Sequence, residues 1–436
     1  MSDDELNKIT TEEQSEQQEP SASPQPEQTP QPEQQPDNVI RLPEDPAVRE
    51  RKRKKRIRLL ILAGIALVIV VILLFVLLPD VFDTDAIRRY FHYMGKRDRE
   101  GFGTMSFDAA GTNDYASLGD GLAVGTEGGL YYYDLRGEQQ TMVLATVAGP
   151  RIMANGTTAL LYTMNSSYLA VINEKGEKLL DQTLGGTLLD VDLSSDGYIC
   201  YNLTEEGYKT VTTVLGQKHS PIYRFRSSTQ YLNACAVSKG GLYLAVAGLT
   251  EEESTFTSTL TLLRTDEEIV AGTDQSQSAK RRISLGNEVV YELAFLPGNR
   301  LCVLTQDALR ITDTECNILC EYRFETEYLR GYSISEDGYI ALLLGSSMTG
   351  DRCVLRTVDK NGETIGETEI TRTVRSLDTC GGYVAVLTDG ALTVYRSHLK
   401  QPYYTAEDVG SAIRALVRDD GTAILVSNGD ARLVIP

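Results

Sequence analysis

The residue types that most often carry catalysis are few in this chain and poorly placed for it. Its three histidines, His92, His219 and His398, stand more than 100 residues apart and at no metal-ligand spacing. There is no G-x-S-x-G nucleophile elbow, no H-E-x-x-H pair and no G-x-x-x-x-G-K-S/T phosphate loop. The run Asp-Val-Asp-Leu-Ser-Ser-Asp-Gly at 190–197 carries spaced carboxylates like a calcium loop. Counted from Asp192, its twelfth position is Leu203, where a bidentate glutamate is needed. The same residues read as a strand running into a hairpin turn. Carboxylate runs at Glu251, Glu252 and Glu253 and at Asp266, Glu267 and Glu268 read as solvated loop charge. The sequons at Asn155, Asn165 and Asn202 matter only where secreted proteins are glycosylated.

The seven cysteines begin at Cys200, include no C-x-x-C pair, and sit largely in apolar runs such as those around Cys200, Cys302 and Cys353. That is the pattern of small core fillers. Cys316 and Cys320, the nearest pair, would lie about 13 Å apart in one extended strand, too far to bridge. These patterns assign no catalytic, cofactor-binding or metal-ligating residue, and the expectation is a non-enzymatic protein without cofactor.

The elements that carry these residues repeat. Leu193-Ser194-Ser195-Asp196-Gly197-Tyr198-Ile199-Cys200 matches Ile334-Ser335-Glu336-Asp337-Gly338-Tyr339-Ile340-Ala341. Looser copies put turn glycines at 121, 156, 197, 241, 298, 338, 382 and 421, in steps of 35 to 57 residues. A glycine turn between two apolar runs is a hairpin signal. A second hairpin follows in several repeats, in an "apolar run, Asp or Asn, x, x, Gly, Glu" pattern at 130–138, 169–177 and 355–363. Two hairpins per repeat make a four-stranded blade, and serial blades make an all-β propeller. Eight motifs predict eight blades; seven is the alternative if the Asn155-Gly156 copy is discounted. The last repeat offers only three strands, so the segment 104–107 is expected to supply the fourth and close the ring. The loop 266–282 lies in the longest repeat and exceeds what a hairpin requires, a place where binding function tends to reside. The 23 tyrosines could serve as a recognition surface, but most follow turn glycines and read as strand core.

Ahead of the repeats, residues 59–78 hold no charged or polar side chain. A helix of about 20 such residues is about 30 Å long, the thickness of a bilayer's hydrocarbon core. Residues 49–58 hold eight bases and one acid, the cytoplasmic flank of a positive-inside arrangement. The expectation is an uncleaved signal anchor in the plasma membrane, single-pass, with the N-terminus cytoplasmic and the C-terminal part outside. Residues 1–48 form an acidic Gln/Pro-rich tail with too little apolar surface to fold, read as disordered. Residues 79–100 form a stalk in which Ile87, Tyr90, Phe91 and Met94 recur at helical spacing, their face meeting either lipid or the outer domain. The propeller occupies 101–436. Net charge is −19, and residues 59–436 carry about −16 of an opposite-signed balance to the collar. Binding of nucleic acid through bulk charge is therefore excluded.

The first turns resemble those of WD-repeat-like bacterial propellers, and the second those of quinoprotein-type propellers. The chain has no Trp, so neither the Trp-Asp ends of the former nor the docking motif of the latter is present. Quinone chemistry is not implied. The whole layout resembles an uncharacterised family of single-pass membrane proteins from clostridia, a resemblance that implies no activity. The expected function is a membrane-anchored interaction module that binds a protein of the cell envelope. The alternatives are glycan or small-ligand binding in the central channel, and a propeller hydrolase or lyase.

Overall fold

The structure is a computed structural model that describes residues 46–77, 84–94, 102–109, 111–252, 255–267, 275, 279–350 and 352–436; side chains of the first helix are described over 54–70. Contacts divide the chain into two compact units, residues 1–79 and 80–436.

In the second unit the described strands form eight four-stranded antiparallel sheets. Numbered along the chain, the blades span 114–144, 151–183, 188–227, 231–286, 290–323, 328–370, 374–406 and 414–434. This is the predicted eight-bladed propeller, and the Asn155-Gly156 repeat is a true one. The first strand of each blade is innermost, and the first strands of blades 8 and 1 adjoin one another, closing the circle.

Each strand's composition follows from where it lies. Second strands are sandwiched between neighbouring blades on both faces, so they are near-continuous apolar runs. Tyr339–Gly345 and Tyr383–Thr388 are buried at every residue. Outermost strands have one wet face and alternate, as Ile318–Arg323 does. The core is correspondingly divided into eight apolar clusters, one in each seam between adjacent blades.

The ring closes as the sequence predicts. Met105–Ser106 pairs antiparallel with Asp430–Val434, Met105 opposite Ala431 and Ser106 opposite Asp430. The Phe107 N–H adds a bond to the Gly429 carbonyl at 2.9 Å. Met105 is fully buried in the seam between blades 8 and 1, with Val124 and Ile424. The outer strand of the last blade thus comes from ahead of the first, which fastens the circle by main-chain hydrogen bonds.

The predicted turn glycines hold with two corrections. In blades 1 and 7 the left-handed residues are Gly119 (φ 53°) and Gly381 (φ 57°), not Gly121 and Gly382. Gly121 already begins the second strand, where a Cβ would stand 2.0 Å from the Tyr133 carbonyl oxygen. Four of the second hairpins share one device. The side-chain oxygen of Asp134, Asn173, Asp313 or Asp359 accepts two backbone N–H groups, two and four residues onward.

Strand alternation gives the ring two unlike faces. Turns from first to second and third to fourth strands emerge on one, the turn face. Turns from second to third strands and the connections between blades emerge on the other, the loop face.

Helix α2 (Thr84–Tyr93) lies on the turn face and seats its polar side there. Arg89 is buried and donates to the Asp420 carbonyl and to the Tyr403 hydroxyl, each at 2.5 Å. Arg88 pairs with Asp419 (2.8 Å), and His92 Nε2 lies 2.7 Å from an Asp120 carboxylate oxygen. Asp85 accepts from the Tyr383 hydroxyl and pairs with Arg396 at 3.3 Å. The helix therefore bridges blades 7, 8 and 1 across the closure. Its apolar residues Ile87, Tyr90, Phe91 and Met94 remain 49 to 67% exposed. Of the two destinations weighed for that face, the described residues of the propeller are not one: they take the polar stripe instead.

In the first unit, α1 (Pro46–Leu77) runs for 32 residues and takes in the basic collar. Its large apolar side chains from Leu59 to Val70 are exposed. Among the described residues no helix is long and apolar enough to cross a membrane. The predicted span 59–78 reaches beyond the last described side chain of α1, and the predicted tail lies largely outside the described residues.

Candidate interaction face

The inner strands place carboxylates around the central channel, and the backbone explains most of them. An innermost strand has no strand partner on its channel side, so its N–H groups need other acceptors. Asp114 accepts the Ile152 N–H at 3.0 Å, Asp190 that of Cys235 at 2.7 Å, Asp192 that of Val237 at 2.8 Å, and Asp378 that of Val417 at 2.8 Å. Each bond runs from one blade to the inner strand of the next. Ser333 and Thr379 make the equivalent latch between blades 6 and 7 with their hydroxyls 2.9 Å apart. Glu292 accepts from the Tyr332 hydroxyl at 3.1 Å, joining blades 5 and 6. Burial between the blades pushes the carboxyl groups of Asp190, Asp192, Asp378 and Glu292 up to about 7.

The calcium-like run is thereby accounted for. Asp190 and Asp192 each hold a backbone N–H of blade 4, and Asp196 accepts the Gly240 N–H at 2.9 Å in the same seam. Leu203 is a buried strand residue of blade 3. The histidines are not brought together: His92 sits on α2, His219 in the second hairpin of blade 3, and His398 in that of blade 7. The seven cysteines are free thiols, five of them buried, as core fillers should be. Two sequon asparagines have structural tasks. Asn155 bridges to the Ser194 carbonyl of blade 3 at 2.8 Å, and Asn202 is buried against Leu232 and Thr212.

The loop face carries what the hairpins do not need. In blade 4 the second and third strands, Tyr243–Glu252 and Thr255–Arg264, are ten residues each. The inner strand pairs only as far as Leu249 and the outer only as far as Ser258. Pairs Thr250–Thr257, Glu251–Phe256 and Glu252–Thr255 therefore project past both neighbours as a free ribbon, about 10 Å long at ~3.3 Å per residue. Phe256 on that ribbon is 58% exposed. At the loop-face ends of the inner strands of blades 4, 5 and 6 stand Tyr231, Tyr291 and Tyr328, each about half exposed. Tyr291 is thrown outward by a bulge, since pairing skips from Val290 to Glu292. Met348, in the turn between second and third strands of blade 6, is exposed beside them in the sequence of the face. Between blades 2 and 3 the same face opens a cleft of about 620 Å3, lined by hydroxyls and amides of Asn165, Ser166, Thr187 and Thr204 together with Glu205.

Of the loop singled out in the sequence, 266–282, only the ends and Gln275 are described. Asp266 pairs with Arg264 at 2.7 Å and Glu267 with Arg281 at 3.0 Å. Gln275 is buried and accepts the Arg226 N–H at 2.7 Å, tying the loop back to blade 3. What the sequence reading did not single out is the trio of inner-strand tyrosines, since it favoured strand core for most tyrosines over the recognition surface it also weighed. Their position at the first or second residue of an inner strand, ahead of its buried stretch, is the signal that could have revealed them.

The family model of DUF5711, a family of unknown function, matches residues 99–426. No curated protein sequence matches the chain. Among solved structures, the chain is similar to the C-terminal WD40 domain of Sif2, with a TM-score of 0.51 at 13% identity over 77% of this chain and 98% of that one. It is also matched to BamB from Moraxella catarrhalis, with a TM-score of 0.44 at 15% identity over 76% and 98%. A third match is the WD40 domain of Pan2 from Neurospora crassa, with a TM-score of 0.41 at 12% identity over 77% and 89%. At these identities the likeness concerns the fold.

Proposed function

We propose that this chain, which belongs to the DUF5711 family, is a membrane-anchored propeller that binds a protein of the cell envelope through its loop face. The fold alone assigns no function, since propellers host many. The observation that carries the reading is the run of exposed aromatic residues on three successive blades, Tyr231, Tyr291 and Tyr328, beside the projecting ribbon with Phe256. Large, stiff aromatic side chains on a rigid rim are the usual anchors of protein interfaces. The anchor reading rests on the uninterrupted apolar run 59–78 within and just beyond the long helix α1, and on the basic collar ahead of it. With the collar in the cytoplasm, the propeller stands outside the cell. No catalytic role is assigned: the channel carboxylates already serve as blade latches.

A second reading has its own observation. The polar, hydroxyl-lined cleft between blades 2 and 3 suits a glycan or another small polar ligand. Photo-crosslinking in intact cells from position 291, followed by partner identification, separates the two. Reproducible envelope-protein adducts that are lost in the Tyr231→Ser/Tyr328→Ser variant support the interface. An absence of adducts, together with thermal stabilisation of the protein by a cell-wall glycan, favours the cleft. Turnover of a glycan or ester panel would instead establish an enzyme.

A further inference from the structure

We infer that α2 is a second membrane contact: its outward face, Ile87, Tyr90, Phe91 and Met94, seats in the headgroup layer and turns the propeller's turn face toward the bilayer. The inference rests on the membrane-anchored reading above. Its first support is the division of α2 into two opposed sides. Asp85, Arg88, Arg89, His92 and Tyr93 fall on one side and are engaged by blades 7, 8 and 1. The four apolar residues fall half a helical turn away, at i, i+3, i+4 and i+7, and remain between 49 and 67% exposed. A helix fixed so firmly by its polar side cannot roll to bury the other one. Burying the apolar side would need a partner from outside the described residues of the second unit.

The second support says which partner. Only residues 79–83 separate the end of the apolar run at Leu78 from α2. Fully extended, that link spans at most about 20 Å. If 59–78 cross the bilayer, α2 cannot leave the neighbourhood of the surface. A short helix held there with two aromatic rings outward matches the interfacial pattern, in which the apolar side sinks roughly 5–10 Å into the headgroup and acyl boundary. Tyr90 and Phe91 present adjacent rings, their centroids 5.5 Å apart. The consequence is an orientation. With the turn face down, the ribbon and tyrosines of the loop face point away from the membrane, toward the envelope.

The chain contains no Trp, so single tryptophans report cleanly. Phe91→Trp, Leu67→Trp and Phe256→Trp are prepared in the full chain and reconstituted into phosphatidylethanolamine/phosphatidylglycerol vesicles with brominated acyl chains. The expected result is blue-shifted emission, quenched roughly two-fold, at positions 91 and 67 and none at 256. Quenching at 67 without quenching at 91 overturns the seating and leaves the anchor standing. Quenching at 91 without 67 keeps the seating and overturns the anchor. Blue-shifted but unquenched emission at 91 means a protein covers this face, a second copy or another partner, and overturns the inference. Quenching at 256 reverses the orientation and overturns it as well.

Discussion

Asp192 shows how one side chain is committed by its surroundings. It holds the Val237 N–H across the seam from blade 3 to blade 4, and its carboxyl is pushed up to about 7 by burial, with the carboxylates of Glu292 and Glu336 adding to the effect. The ordinary aspartate value, which the unfolded chain keeps, is about 3.9. Between those values the folded state holds a proton that the unfolded state has lost. Stability therefore falls as pH rises from about 4 to about 7, and the loss is complete above. Asp190, Asp378 and Glu292 act in the same direction. Asn at 192 would keep an acceptor for Val237 and remove the titration. The expected outcome for Asp192→Asn is a retained fold and a flatter profile of Tm against pH between 5 and 8. A profile as steep as the parent's would mean other groups govern it. His219 illustrates a different constraint. It occupies, at φ 57°, the turn position filled by Gly137, Gly176 and Gly362 in other blades. A left-handed backbone costs a side chain about 1–2 kcal/mol. His219→Gly should accordingly raise stability by about 1 kcal/mol in chemical denaturation, and an unchanged midpoint would show that histidine contacts offset the strain.

At the level of elements, the closing strand and α2 carry the sharpest expectations. Met105 is buried completely where the strand from ahead of blade 1 completes blade 8. Removing its side chain in Met105→Ala should cost about 2–5 kcal/mol, the cost of a large-to-small change in a packed core. The same change should increase hydrogen exchange in blades 8 and 1 before the rest. Uniform exchange across all blades would indicate that closure does not hold the ring. For α2, Arg89 is the buried peg, and its two hydrogen bonds cross to blades 7 and 8. Arg89→Ala should lower stability by about 2–3 kcal/mol, because charged hydrogen bonds are lost and the Asp420 carbonyl is left without this donor. Protection of the α2 amides should fall while blades 3 to 6 are unaffected. Both elements were legible in part. The missing fourth strand of the last repeat pointed to 104–107 by simple counting. For α2, attention to the apolar spacing hid an equally periodic polar one at 85, 88, 89 and 92, the side the propeller takes. Periodicity says that a helix has two sides, but not which side another element will choose.

The whole molecule separates two tasks by face. The turn face consists mostly of tight hairpins, four of which repeat one chemistry, with the long loop of blade 4 as the exception, and it receives α2. The loop face is free of that constraint and varies from blade to blade, in ribbon, cleft and exposed aromatics. If the loop face is the interaction surface, Tyr291→Ser should leave the unfolding free energy within about ±0.5 kcal/mol of the parent, as an exposed substitution does, while abolishing envelope adducts formed from a photo-crosslinker placed at position 328. Loss of stability together with loss of adducts would instead mark Tyr291 as structural. The channel belongs to the stabilising side of this division, because its carboxylates are taken up in joining blade to blade.

By itself the sequence determined the four-stranded blade as the repeating unit and the route of closure, and it narrowed the ring to seven or eight blades, of which the structure has eight. These follow from local turn chemistry and from alternation of apolar and polar residues, both of which are written into neighbouring positions. Tertiary structure alone decided the uses of individual side chains. Which backbone groups Asp190 and Asp192 hold, whether a tyrosine is core or rim, and which side of α2 is covered all depend on what another blade presents. Those partners lie about 40 residues or more away in sequence: 45 residues for Asp190 and Asp192, and more than 300 for Arg89. No local pattern encodes contacts at that distance, because they arise only when closing the ring brings the inner strands and the turn face into register.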